Sequence, residues 1–406
     1  MPRNIMVECL RQTPLEKQKL EIVERKGLGH PDYICDAIMD RVSVELSKEY
    51  LKKVGTILHH NADKSLLVAG DAEIRFGGGI IKEPMLLIFG DRATFNADEI
   101  EIPVEEIAIN AAKQWFRENL RFVDPEKHVR YQVEFKPGSP ELVDIFRRKS
   151  GESKILGAND TSAAVGYAPM TRTEKIVLNV EQYINSPEFK KRFPESGEDV
   201  KVMGLRKNNE LWLTIAMPLV DRYVENEKEY FIKKEEILEE IRNFVNEHSD
   251  FDRVTIKMNT LDVKGRGIHG VYLTVLGTSA ESGDSGQVGR GNRVNGVIPL
   301  NRPLCSEAAA GKNPVSHVGK IYNLLTHRIA AKVYEQVPGL EEVYIWLLSQ
   351  IGEPIDRPAI AAAQVVMKSG NNFEDVRKSI EEVVDAELES IDAFCRDLAY
   401  GKIKIC

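Results

Sequence analysis

The chain has 406 residues, 42% hydrophobic and 29% charged, with 55 Lys and Arg against 63 Asp and Glu for a net charge of −8. That length exceeds one simple core and calls for two or three domains, or one unit of interlocked subdomains. The composition is that of a soluble globular protein, and its acidity excludes a general binder of nucleic acid or membrane surfaces: any polyanion must be met by local cation clusters.

In chain order, the first strong element is a helix from Pro31 to about Lys53. Ile34, Ile38, Val42 and Leu46 recur every four residues on one face, and Asp32, Asp36 and Asp40 recur on the other. Asp36 and Asp40 are read as a solvated face. "TILHH", "KSLLVAGDAEIRF" and "EPMLLIFGDRATF" read as strands, "PVEEIAINAAKQWFRENL" as a helix, and "HVRYQVEF" as a strand. His59 and His60 are adjacent on a strand, so they point to opposite faces and do not form a metal pair. Residues 136–161 lose periodicity and read as a mobile functional loop; its "RRKS" is loop charge. "TEKIVLNVEQYI", "ELWLTIAMPLV" and "RVTIKMNTL" carry strand signals, separated by the long charged helix "NEKEYFIKKEEILEEIRNFVNEHS". The strand "GVYLTVLGT" leads into a glycine-rich stretch. Then come the helix "HVGKIYNLLTHRIAAKVYEQ", the strands "EEVYIWLLSQIG" and "AIAAAQVVMK", and a last helix over about 373–398 with Asn372 as N-cap. Trp115, Trp212 and Trp346 sit in periodic runs and read as core. The pattern is α+β.

The five cysteines are scattered without a Cys-x-x-Cys pair, which argues against a disulfide framework or zinc site and for a reducing compartment. No signal-like leader and no run of ~18 apolar residues occurs, so a cytoplasmic protein is expected.

Three clusters carry chemistry. In "ERKGLGHPDYICDAIMD", Pro31 suits the first helical position, so the helix dipole and first-turn amides face the Gly-Leu-Gly-His loop. Such a turn stabilises phosphate; Asp32 is a hard oxygen ligand suited to Mg2+. In "GTSAESGDSGQVGRGNRVNG", residues 277–296, glycines admit an anion to the backbone, and Arg290 and Arg293 can grip phosphate oxygens. The embedded Gly-Asp-Ser-Gly lacks the disulfide context and histidine segment of a serine protease. In "AAAGKNPVSHVGKIYN", Lys312 follows a glycine and His317 precedes a helix, but neither a P-loop nor a Rossmann fingerprint is present.

Together these clusters resemble methionine adenosyltransferase (S-adenosylmethionine synthetase), most nearly its archaeal-type branch, over essentially the whole chain. The resemblance implies three intertwined α/β subdomains with pseudo-threefold symmetry. These form one catalytic unit over 1–406, with approximate subdomains 1–135, 155–265 and 266–406 that exchange segments, and with 136–161 as the active-site loop. It implies that His30 contacts the ATP phosphates, with Gly29 beside it, and that Asp32 binds metal. It implies substrate contacts by Asp160, Ser285 and Asp284, the last also as a metal ligand, phosphate contacts by Arg290, Arg293 and Lys201, and triphosphate or methionine contact by Lys312, with His317 alongside. Lys136, Pro137, Gly138, Ser139, Pro140 and Glu141 fall on its proposed ATP-binding stretch. The acids of its methionine and potassium sites have no clean match; Asp63, Asp71 and Glu73 are the candidates, which leaves K+ as a second candidate cation beside two Mg2+ per site. Tyr33, Gly291 and Ser316 depart from lysines of the bacterial and eukaryotic branch.

The implied reaction joins ATP and L-methionine in a homodimer, or a higher oligomer, with active sites between subunits. A thioether carries no proton, so no general base is needed; the work is stabilising a departing triphosphate. An ATP-dependent phosphotransferase and a non-catalytic nucleotide-sensing module are the competing readings.

Overall fold

The computed structural model describes residues 3–147 and 155–405. Helices are numbered in chain order: α1 Pro31–Val54, α2 Val104–Asn119, α3 Pro140–Arg147, α4 Arg172–Ile184, α5 Pro187–Arg192, α6 Glu227–His248, α7 Val318–Gln336, α8 Glu374–Glu389 and α9 Ile391–Ala399.

Three sheets organise the chain, and each is assembled from segments far apart in sequence. The first places Ile5–Cys9 parallel to Ile360–Met367, followed by Leu340–Leu348 and Ala163–Ala168. The second runs Arg253–Met258, Glu210–Ala216, Lys201–Lys207, Leu20–Lys26 and Ile298–Pro299. The third runs Gly286–Gln287, His60–Val68, Met85–Ala93 and Val129–Lys136. Helices α7 and α8 pack on the first sheet, α4 and α6 on the second, and α1, with α2 against it, on the third. Strands of the second sheet alternate buried and open residues, the period expected when only one face is covered. Its core, with Val177, Val202, Leu213 and Ile241, is distinct from the larger core shared by the other two sheets. The architecture is α+β, as the element pattern implied.

Several readings need correction. "TEKIVLNVEQYI" is not a strand but α4. Ile176, Val177, Val180 and Ile184 follow a helical period, and Thr171 closes a capping box with Glu174. The β-branched residues masked that periodicity. The last helix divides at Ser390 into α8 and α9. Of "GVYLTVLGT", only Leu273–Thr274 is a strand. Trp115 is buried, but Trp212 and Trp346 are only half-buried. The stretch 136–161 contains α3, and its "RRKS" tail lies largely outside the described residues.

Helix α1 also differs from its amphipathic reading. It is enclosed on nearly every side by the third sheet, α2, α9 and the glycine-rich loop. Asp36 is therefore buried and Asp40 forms an ion pair with Lys320 at 2.6 Å, so neither belongs to a solvated face.

Candidate functional site

The N-terminus of α1 meets the glycine-rich loop directly. His30 is the N-cap, and its Nδ1 accepts from Asp32 N at 3.2 Å. An accepting Nδ1 leaves the proton of a neutral imidazole on Nε2, where it can be donated. Burial pushes the His30 pKa down, reinforced by Lys26 and Lys201 and opposed by Asp199 and Asp32. Asp32 accepts from Gln287 N at 2.9 Å through Oδ1 and from Lys26 Nζ at 2.8 Å through Oδ2. One turn along, Asp36 accepts from Gly289 N at 2.8 Å; burial raises its pKa to about 7 against the pull of that amide and of Arg293. Two acids on one helix face thus tether alternate amides of the loop.

Glycine is required where these elements touch. A methyl group on Gly286 would overlap the Pro31 carbonyl, and one on Gly29 would overlap the backbone at Glu198 and Asp199. The close approach of Gly29 delivers Lys201 and the buried Asp199 to the same turn. Asp199 accepts from Ser279 N at 2.9 Å and Ser279 Oγ at 2.5 Å, and its pKa is raised by burial. Lys201 lies opposite Lys26 in the antiparallel register and 3.0 Å from Glu24. Arg290 and Asp284 are exposed on the loop, and Ser285 Oγ accepts from Ala69 N at 3.1 Å. Arg293 turns inward: it donates to the carbonyls of Gly289, Gly291 and Cys305 and braces the loop.

A second cluster gathers near the middle of α1. Lys312 is buried, bonded to Glu307 and 3.5 Å from Asp63. Asp63 also meets Lys64 at 2.6 Å and shares a hydrogen bond with Asp91, whose pKa is raised to about 6 by burial and then by Asp63. His317 caps α7 as His30 caps α1, with Nδ1 accepting from Gly319 N at 3.3 Å; burial, aided by Lys312, pushes it down to about 3. His59 and Lys320 act on His317 as well. Gly138 packs on His59, and Phe146 of α3 meets the same ring edge-on. This brings the 136–141 stretch to the cluster, with Lys136, Pro137, Pro140 and Glu141 exposed. Ser316 Oγ donates to Gly157 O at 2.8 Å and Ser349 Oγ to Asp160 O at 2.7 Å, placing the exposed Asp160 along the same edge. Asp71 and Glu73 lie instead on a separate hairpin, where Glu73 pairs with Arg75 and Lys82.

Ser43 Oγ of α1 lies 2.8 Å from the Lys312 carbonyl. From Asp32 to Ser43 the helix rises about 16 Å, so the ends of this arrangement, His30 with Asp32 and Ser43 with Lys312, lie three turns apart on α1, while Asp36, Gly289, Arg293 and Glu307 line a small cavity between them.

Sequence reasoning missed Lys26, Asp199, Ser279, Asp91, Glu307 and Lys320. Lys26 was legible as the last residue before the glycine turn. The others become significant only through pairings made by the fold.

Chemically, a donor-rich helix start, a neutral histidine and converging lysines define an enzyme-like polyanion cradle on an α+β scaffold. The chain belongs to the S-adenosylmethionine synthetase (AdoMet synthetase) family, whose model matches residues 3–402. It is 49% identical over 403 residues to the S-adenosylmethionine synthase of Thermococcus onnurineus, covering 99% of this chain and 98% of that one. It is 47% identical over 405 residues to the S-adenosylmethionine synthase of Pyrococcus furiosus, covering 100% of both. Among solved structures, an S-adenosylmethionine synthetase from Campylobacter jejuni shares the fold, with a TM-score of 0.60 at 15% identity over 94% of each chain.

Proposed function

We propose that the two clusters are halves of a methionine adenosyltransferase active site. The sulfur of L-methionine attacks C5′ of ATP, the whole triphosphate departs, and it is then hydrolysed to pyrophosphate and phosphate. The observation that carries this reading is the seam between the Gly-His-Pro-Asp turn and the glycine-rich loop, closed by Asp32 on Gln287 N and Asp36 on Gly289 N.

No side chain is needed to take a proton from sulfur. His30 donates Nε2–H to the triphosphate, and Lys201, Arg290 and Lys312 supply positive charge where negative charge gathers. Each such preorganised contact is typically worth about 3–4 kcal/mol in the transition state. Mg2+ fits the donors present: Asp32 and Asp284 offer hard carboxylate oxygens, and Asp32 already attracts a cation, the Lys26 ammonium. When bound, the metal neutralises charge on the leaving phosphates. Asp63, paired with Lys312, is the better placed of the three acids considered for methionine or K+, because Glu73 is spent on its own hairpin.

A homodimer accounts for the separation of the clusters, with the His30 half from one subunit facing the Lys312 half from its partner. The helices cover one face of each sheet. On strands of the three sheets, Met6, Leu20, Leu66 and Leu348 remain exposed, apolar surface suited to a subunit contact. Among the described residues no helix is long and apolar enough to cross a membrane.

The test is direct. Protein, ATP, L-methionine and Mg2+ are mixed, and triphosphate cleavage that depends on methionine and yields a sulfonium product is expected. Transfer of phosphate to an acceptor with release of ADP would instead favour a phosphotransferase, and binding without turnover a sensor.

A further inference from the structure

We infer that Lys26 is a triphosphate-binding residue held in reserve by Asp32, exchanging its carboxylate partner for a phosphate when a divalent cation occupies Asp32. The inference rests on the functional reading above and adds a residue to it.

Lys26 ends the Leu20–Lys26 strand, directly before the glycine turn. Its ammonium lies in the seam between the two elements assigned to the phosphates. It donates to Asp32 Oδ2 at 2.8 Å on the turn and to Arg290 O at 2.6 Å on the loop. Asn292 fixes the strand end from both sides, donating to Lys26 O at 2.7 Å and accepting from Lys26 N at 2.9 Å. The stem is thus anchored while the head group bridges. Lys201 stands opposite it across the strand pair, and both lysines act electrostatically on His30.

Lys201 has Glu24 as its partner, whereas the carboxylate that Lys26 uses belongs to Asp32, the residue assigned to the metal. A divalent cation on Asp32 repels the ammonium and takes its counter-charge. A lysine with little solvent access then needs another anion. The ligand that follows the metal into this seam is a polyphosphate, and an ammonium with three rotatable donors can swing to it without moving the strand.

The experiment compares wild type, Lys26→Gln and Lys26→Arg by two titrations. The first measures imidotriphosphate, a hydrolysis-resistant analogue of the leaving group, at saturating Mg2+. Lys26→Gln should bind it about 10- to 100-fold more weakly, the size expected for a charge-assisted hydrogen bond, and Lys26→Arg should recover most of that loss. The second follows Mn2+ binding to nucleotide-free enzyme by electron paramagnetic resonance. Here Lys26→Gln should bind about tenfold more tightly, because its competitor for Asp32 is gone. A lysine that merely braces the seam would give weaker binding of both. Imidotriphosphate affinity within twofold of wild type, or Mn2+ binding no tighter than wild type, overturns the inference. If wild type itself shows no methionine-dependent cleavage of ATP, the functional reading fails first; if wild type is active and these shifts are missing, only the role of Lys26 fails.

Discussion

His30 has two duties that substitution can separate. Its Nδ1 caps α1, and in the proposed site its Nε2–H is the group that meets substrate. His30→Ala should lower kcat about 100- to 1000-fold while leaving KM for methionine within a few-fold in steady-state assays. His30→Asn keeps an N-cap acceptor and should recover stability without recovering kcat. A loss confined to methionine KM would contradict the assignment. A second histidine reports on stability. His60 is buried between Ser43 Oγ at 2.9 Å and Leu58 O at 3.0 Å, and burial lowers its pKa from 6.5 to about 3. The unfolded chain therefore binds more protons across that window, and stability falls as pH drops through it. The slope is about 1.4 kcal/mol per pH unit for each such histidine. His60→Gln should flatten the acid limb of denaturant midpoints by one histidine's share; an unchanged slope would refute the neutral buried ring. His30 and Asp32 were legible because residue type and helix-start context coincide in the sequence. Asp36 was not: its spacing from Asp32 and Asp40 is the same whether that face meets water or a glycine loop.

Elements were legible where one period dominated. Helices α2, α6 and α7 and the two strands of the C-terminal hairpin fall close to their patterns. Helix α4 did not, because Ile and Val at helical spacing also suit a strand. What decides it is its cap. Thr171 Oγ1 accepts from Glu174 N at 3.0 Å and donates to Glu21 Oε1 at 2.6 Å, within a buried network anchored by Arg206. Thr171→Ala removes the cap and leaves Glu21 short of a donor, so it should cost about 2–4 kcal/mol in denaturant unfolding, with Thr171→Ser nearly neutral. A loss under about 0.5 kcal/mol would show that the cap is not structural. At the seam, Gly286→Ala should lift the loop from α1 and cut kcat/KM for ATP by about two orders of magnitude in a protein that still folds; full activity would deny that this contact positions the loop.

At the scale of the molecule, the sheets could not be read from the chain because each joins distant segments. Ile5–Cys9 lies beside Ile360–Met367, and Gly286–Gln287 beside His60–Val68. No local pattern encodes such pairings. The same interleaving places the His30 and Lys312 clusters at separate stations on one buried helix, although their motifs resemble parts of one active site. The proposed sharing of the site between subunits reconciles the two. Mixing His30→Ala and Lys312→Met proteins under conditions of subunit exchange tests this most directly. Each mixed dimer then has one complete site, so an equal mixture should regain about one quarter of wild-type methionine-dependent ATP cleavage. If two folded, exchanging variants remain inactive together, the halves belong to one subunit and the shared site is wrong.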